Sequence, residues 1–223
     1  MFITFEGIEG SGKTTQIRHT AEFLRRHGHP VVVTREPGST DVGRRIRAIL
    51  LDPAHRNLDH RAELLLYMAD RAHHLGTVVQ PAVAQGKIVL CDRYFDATLA
   101  YQGYARGLDI DLLKDLHRRV LDDYTPDLTL LLDLSPEEGL RRAWRQISAG
   151  EREAAETRFE NEALRFHERV RAGYLDLARR APERFRIIDA AADPARRLTA
   201  AADFAEFGFT ERPGLLASAL TRA

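Results

Sequence analysis

The chain has 223 residues, 44% of them hydrophobic and 30% charged, with 33 basic side chains against 33 acidic ones. That length and composition predict one folded domain with a core that needs no disulfide or metal, and the zero formal charge gives no electrostatic case for nucleic acid or a membrane as partner. The single cysteine, Cys91, excludes an intramolecular disulfide, and no apolar run nears the roughly 20 residues of a spanning helix; with no signal-peptide pattern after Met1, the expectation is a cytoplasmic protein.

In chain order, Phe2–Glu6 reads as a short buried strand and Gly7 to Gly12 as a glycine-rich turn. A helix follows over about Lys13–His27, with Ile17, Ala21 and Leu24 on one face and Gly28 as its stop. Pro30–Thr34 is a β-branched second strand, and the loop Arg35-Glu36-Pro37-Gly38 leads to a helix around Asp41–Leu51. A longer helix is expected over roughly Asp59–Gln85, kinked at Pro81. Lys87–Cys91 is the third strand, ending at Asp92-Arg93-Tyr94, and a helix covers Asp109–Asp122. Asp127–Leu134 is the fourth strand; Ser135 then has the character of an N-cap, with Pro136 at the first helical position. Arg141–Arg180 reads as mostly helical with a break near Gly150, Arg184–Asp189 as the fifth strand, and Pro194–Phe207 as a last helix. Apolar strands alternating with helices predict an α/β fold, a doubly wound three-layer arrangement around a five-stranded parallel sheet. Residues 1–207 form the expected domain, and the tail 208–223 has no assignable role.

Gly7-Ile8-Glu9-Gly10-Ser11-Gly12-Lys13-Thr14 matches the pattern G-x-x-x-x-G-K-[ST]. Glycines let the backbone turn its N–H groups toward phosphate oxygens, and the following helix offers its positive end to the same anion. In such a loop Lys13 reaches the β- and γ-phosphates and Thr14 offers a hydroxyl to Mg²⁺. The pattern arises by chance in about 1% of chains this size at ordinary glycine usage, and the strand before it and helix after it supply the expected context. Only three of the 33 basic residues are lysines, Lys13, Lys87 and Lys114, so one of three falls inside the loop.

Asp92 ends an apolar strand, at the sheet edge that faces the ligand crevice in this fold class. A carboxylate there can hold Mg²⁺, and Arg93 beside it can clamp a second phosphate; the alternative is a local ion pair in a turn. Five arginines, Arg141, Arg142, Arg145, Arg152 and Arg158, crowd one stretch. Such side chains can neutralise charge that builds during phosphoryl transfer, or simply line a solvated helix face. No Asn-Lys-x-Asp guanine-reading motif is present.

Together these motifs resemble those of the bacterial thymidylate kinases. The resemblance runs from Phe2 to about Leu198, through Phe5–Thr15, Thr34-Arg35-Glu36-Pro37-Gly38, Asp92–Gly103, Phe166-His167-Glu168-Arg169-Val170 and Ile188-Asp189-Ala190. It implies ATP and thymidine monophosphate (dTMP) as substrates, Mg²⁺ as cofactor and a homodimer. On the ATP side it implies the loop Gly7, Ile8, Glu9, Gly10, Ser11, Gly12, Lys13, Thr14 and Thr15, with Thr14 and Asp92 toward the metal. On the acceptor side it implies Glu9 near the sugar, Arg93 and Arg47 on the phosphate, and Glu36 and Pro37 in the wall. Tyr67 would stack on thymine where Phe is commoner, Arg71 would donate to a thymine carbonyl, and Thr98 and Gln102 would touch the base. Tyr101 would crowd the sugar 2′ position. Periodicity alone makes Tyr67 a core residue.

The chain departs from the family pattern in places. Thr157 precedes Arg158 where the family has Asp, Ala97 replaces a common Ser, and Arg145–Glu156 is longer than usual. Gly10 is not basic, which matches the bacterial arrangement in which a lid, here about residues 141–160, supplies the catalytic arginine; Arg158 is the candidate. The resemblance makes Lys13, Arg93, Arg158 and Glu9 the catalytic set. Another nucleotide or deoxynucleoside kinase of this fold, or a non-catalytic nucleotide-binding protein, are the competing readings.

Overall fold

A computed structural model describes residues 1–150 and 154–192. The expected last helix, the tail and Arg152 lie outside the described residues. Five strands are described: β1 Phe2–Glu6, β2 Val31–Arg35, β3 Ile88–Asp92, β4 Leu128–Asp133 and β5 Phe185–Asp189. They form one sheet in the order β2-β3-β1-β4-β5, every pair parallel. β1, β3 and β4 sit inside and are almost wholly buried, which is why they read as unbroken apolar runs. β2 and β5 are edge strands, so Val33 and Ile187 are half exposed despite the same apolar pattern.

Helices α1 Lys13–Arg26, α2 Asp41–Leu51 and α3 His60–His74 follow in order. Thr40 and Asp59 cap α2 and α3 by accepting backbone N–H bonds. The predicted long helix is irregular just ahead of Pro81. It passes at Leu75 into a π-helical turn, Leu75–Val79, and resumes as α4 Gln80–Ala84, where Pro81 sits in the first turn and has no N–H to lose. After β3 a helix absent from the sequence reading appears, α5 Phe95–Thr98 running into a π-helical segment Leu99–Ala105. α6 Ile110–Leu121, α7 Pro136–Ser148 and α8 Leu164–Arg180 complete the set, α7 capped by Ser135 with Pro136 at its start.

β1 and α8 are tied through one buried acid. The Tyr94 N–H donates to Glu6 Oε1 at 2.7 Å, and the Tyr174 hydroxyl on α8 bonds Oε2 at 2.7 Å. Burial, then the charge of Asp96, pushes the Glu6 carboxyl up to about 8 against the opposing pull of Arg93 and the two bonds. Glu6 is therefore protonated at neutral pH. The folded chain holds this proton more tightly than the unfolded chain, whose ordinary value is 4.5. The contribution to stability is complete below pH 4.5 and is lost as pH rises to about 8. Glu6→Gln removes the titration while its amide oxygen can accept the Tyr94 N–H and its amide N–H can donate to the Tyr174 oxygen, so urea unfolding of the variant should lose less stability across that window than the parent. Parallel stability curves for the two proteins would contradict this.

Candidate active site

The chain leaves β1 toward β2 and leaves β3 toward β4, in opposite directions across the sheet. That reversal opens a crevice at the carboxyl ends of these neighbouring strands. Phe5 pairs with Asp92 and Arg35 with Asp92, so the loops after β1, β2 and β3 leave at one level. A cavity of about 700 Å³ lies there, lined by residues from all three loops.

The first wall is the glycine loop. Gly7, Gly10 and Gly12 have φ of +136°, +70° and +92°. At Gly10 a Cβ would also fall 2.1 Å from the Gly139 carbonyl oxygen on α7, so the loop is seated against that helix. Gly12 caps α1, whose N-terminus faces the cavity with Lys13, Thr14 and Thr15. Glu9, Gly10 and Gly12 line the cavity as well, while Gly7, Ile8 and Ser11 lie buried behind them. Lys13 Nζ donates to the Gly7 and Ile8 carbonyls, both at 2.9 Å. Burial, then Arg93, lowers its ammonium to about 8, with Asp92, Glu9 and Glu6 opposing. A phosphate in the loop would restore the charge by the same Coulomb logic. Thr14 and Asp92 both line the cavity. They are hard oxygen donors, and among the described residues no cluster of three metal-binding side chains forms. That donor set fits an ion completing its shell with phosphate and water, as Mg²⁺ does.

At the centre stands Arg93. Its backbone is left-handed, φ +69°, and its N–H bonds the Phe5 carbonyl at 3.0 Å. The guanidinium donates to Glu9 Oε1 at 2.9 Å and to the Tyr174 hydroxyl at 3.1 Å, and lies 4.8 Å from the centre of the Tyr101 ring. The Tyr101 hydroxyl donates to the same Glu9 oxygen at 2.6 Å. Burial raises the Glu9 carboxyl, but His167, Arg93 and Lys13 together outweigh it and hold Glu9 well below the usual carboxylate range.

The far wall carries the remaining residues expected around the acceptor. Arg71 is buried and fixed on three sides, by Glu36 Oε2 at 2.6 Å, Thr98 Oγ1 at 2.9 Å and the Tyr94 carbonyl at 3.0 Å. Glu36 also takes His74 Nδ1 at 2.8 Å. Burial opposes its charge, but Arg71 and then His74 keep the carboxyl below its ordinary value. Tyr67, Pro37 and Gln102 line the cavity, with the Gln102 amide nitrogen donating to Glu63 at 2.8 Å. Arg47 lines it too, but is engaged: it grips Glu156 bidentately at 2.9 and 2.7 Å and donates to the Pro37 carbonyl at 3.0 Å.

Among the described residues, the arginines of the arginine-rich stretch do not line the cavity. Arg158 is buried, ion-paired with Glu63 and set against the Phe159 ring, and is not among the cavity-lining residues. Arg141 and Arg142 pair with Glu138, and Arg145 is exposed on α7. Among the cavity residues that the sequence analysis gives no role are two arginines. Arg18 stands four residues after Thr14, on the same helical face, a spacing that was readable. Arg35 ends β2 level with Asp92, which needed the sheet register. His167, which reaches the site from α8, lies in the Phe166–Val170 stretch that carries the resemblance, but that stretch gives it no role; Tyr174, from the same helix, carries no local signal.

The thymidylate kinase family model matches residues 5–198. Thymidylate kinase of Desulfosudis oleivorans is 57% identical over 204 residues, covering 90% of this chain and 95% of that one. Thymidylate kinase of Syntrophotalea carbinolica is 56% identical over 191 residues, covering 85% and 87%. The crystal structure of thymidylate kinase from Ehrlichia chaffeensis matches with a TM-score of 0.72 at 35% identity, over 92% of this chain and 98% of that chain. With a glycine loop, an Asp-Arg pair and an arginine-braced wall meeting at one crevice, and a family match over most of its length, the chain belongs to the thymidylate kinase family.

Proposed function

We propose that the chain transfers the γ-phosphoryl group of ATP to the 5′-phosphate of dTMP, giving ADP and dTDP. The observation that carries this reading is the single crevice in which the phosphate loop and Arg93 face each other. An acceptor phosphate oxygen forms the new P–O bond in line as the bond to the β-phosphate oxygen breaks. That oxygen is already largely ionised at neutral pH, so no general base is needed. Lys13 binds the β- and γ-phosphates and stabilises the charge that develops between them. Thr14 and Asp92 are the residues that would hold Mg²⁺, which when bound neutralises phosphate charge.

Arg93 and Arg47 orient the acceptor phosphate, and Glu9 and Tyr101 take the sugar side. Tyr67 stacks on the base; Arg71, pre-set by Glu36 and Thr98, meets its edge, with Gln102 and Pro37 completing the wall. Arg158 reaches the transferring group only if its pair with Glu63 opens, within a lid of about residues 141–160 closing on the single domain 1–207. We read the chain as a cytoplasmic homodimer. Apolar side chains stand exposed on helices that touch one another, Val42 and Ile49 on α2, Leu65 on α3, and Leu112 and Val120 on α6. A single monomeric species in sedimentation velocity at micromolar concentration would reject the dimer.

Two measurements test the reading. Presented with dTMP, deoxyuridine, uridine and deoxycytidine monophosphates, the purified chain should consume ATP fastest with dTMP. A flat acceptor profile, or ATP binding without turnover on any acceptor, would overturn the assignment. Second, the Glu156 carboxylate grips Arg47 with the geometry a phosphate would use, so the acceptor must displace it. Glu156→Ala should lower the KM for dTMP by about threefold to tenfold while kcat changes little; an unchanged or raised KM would show that Arg47 is not the acceptor's ligand.

A further inference from the structure

His167 is a buried polar side chain that the mechanism above leaves without work. It lies on α8, fully buried, with neither ring nitrogen hydrogen-bonded. Its Nδ1 sits 3.2 Å from Glu9 Oε2, within ion-pair reach but off the line of a hydrogen bond. Oε2 has no hydrogen-bond partner of its own, while Oε1 of the same carboxylate carries both Arg93 and Tyr101. Buried polar groups are normally hydrogen-bonded, and a buried imidazole and carboxylate that meet at 3.2 Å without an aligned hydrogen bond call for a reason. Packing supplies none. His167 stands edge-on to Phe166 with ring centres 5.4 Å apart, and Phe159, Tyr101 and Tyr174 complete an aromatic cluster beside it. A phenyl ring there would fill the space without burying two unsatisfied nitrogens.

We infer that His167 is a positioning residue for Glu9, the second anchor that fixes the plane of a carboxylate otherwise held at one oxygen. A carboxylate held at only one oxygen can rotate about its Cγ–Cδ bond. Such a rotation displaces Oε1, and with it the Tyr101 hydroxyl bonded to that oxygen. The imidazole on the opposite side blocks that motion, and a small rotation of either group completes a charge-assisted bond. His167 thereby sets, from α8 and without touching substrate, where Glu9 and Tyr101 meet the acceptor sugar. This inference rests on the acceptor-side roles proposed for those two residues.

The test uses the full chain with His167→Phe, which keeps a ring and removes both nitrogens, and His167→Asn, which keeps a donor near the Nδ1 position. For His167→Phe, kcat/KM for dTMP should fall about tenfold. Its preference for dTMP over the ribonucleotide analogue should shrink, and its Tm should hold or rise. His167→Asn should recover most of the activity and the preference. Wild-type kinetics in His167→Phe, or equal losses in both variants accompanied by a lowered Tm, would overturn the inference and leave His167 a packing residue. Glu9→Gln is the control. If it impairs dTMP turnover while His167→Phe does not, the inference alone fails. If Glu9→Gln is itself silent, the acceptor-side reading of Glu9 fails and the inference with it.

Discussion

The site depends on where Arg93 points. A left-handed backbone at a residue with a side chain costs about 1–2 kcal/mol, and it falls directly after β3, where the chain must turn toward the crevice. The surroundings offset that cost. The guanidinium closes a chain of bonds from Glu6 through Tyr174 to Arg93 and on to Glu9 and Tyr101. β1, the phosphate loop, the Leu99–Ala105 segment and α8 therefore share one charge. Burial disfavours that charge, but the Tyr101 and Tyr174 hydroxyls with Glu9 and Asp92 hold the pKa of Arg93 above its ordinary value. A cation fixed in this way meets an incoming phosphate without having to reorganise.

Two other buried arginines work on the same principle. Arg71 spreads three donors over Glu36, Thr98 and the Tyr94 carbonyl. Arg158 joins Glu63 to the Leu50 carbonyl. A planar fork with fixed directions can brace several elements at once, which a single ammonium on a flexible stem cannot. The lysine that does enter the site, Lys13, sits where a point charge over a ring of carbonyls is wanted. The bracing has a consequence for mutagenesis: removing Arg71 leaves Glu36 buried beside His74 without its main counter-charge, so the variant loses stability as well as any contact to the base.

Much of this was legible in the sequence because it is local. The five strands announce themselves as short apolar runs, and Gly7 to Thr14 specifies both a backbone path and a chemistry. What was not legible depends on distance along the chain. The direction of Arg158 is set by Glu63, ninety-five residues away, and nothing near Arg158 says that a buried acid waits there. Tyr174 and His167 enter the site only because α8 packs over the Leu99–Ala105 segment. That segment escaped the helical reading because its π-helical path does not follow the 3.6-residue period, and Gly103 reads as a break. Near Pro81 the helix likewise changes its winding: a π-helical turn precedes the proline, and the 3.6-residue period does not reveal it.

The most direct test of the central claim is to titrate Arg93→Lys and the parent chain calorimetrically with dTMP and with thymidine. If Arg93 is held ready for the acceptor's phosphate, the variant should bind dTMP at least about tenfold more weakly, with thymidine affinity unchanged. An equal loss for both ligands would contradict the account, because it would mean that Arg93 holds the walls together and does not itself meet the phosphate.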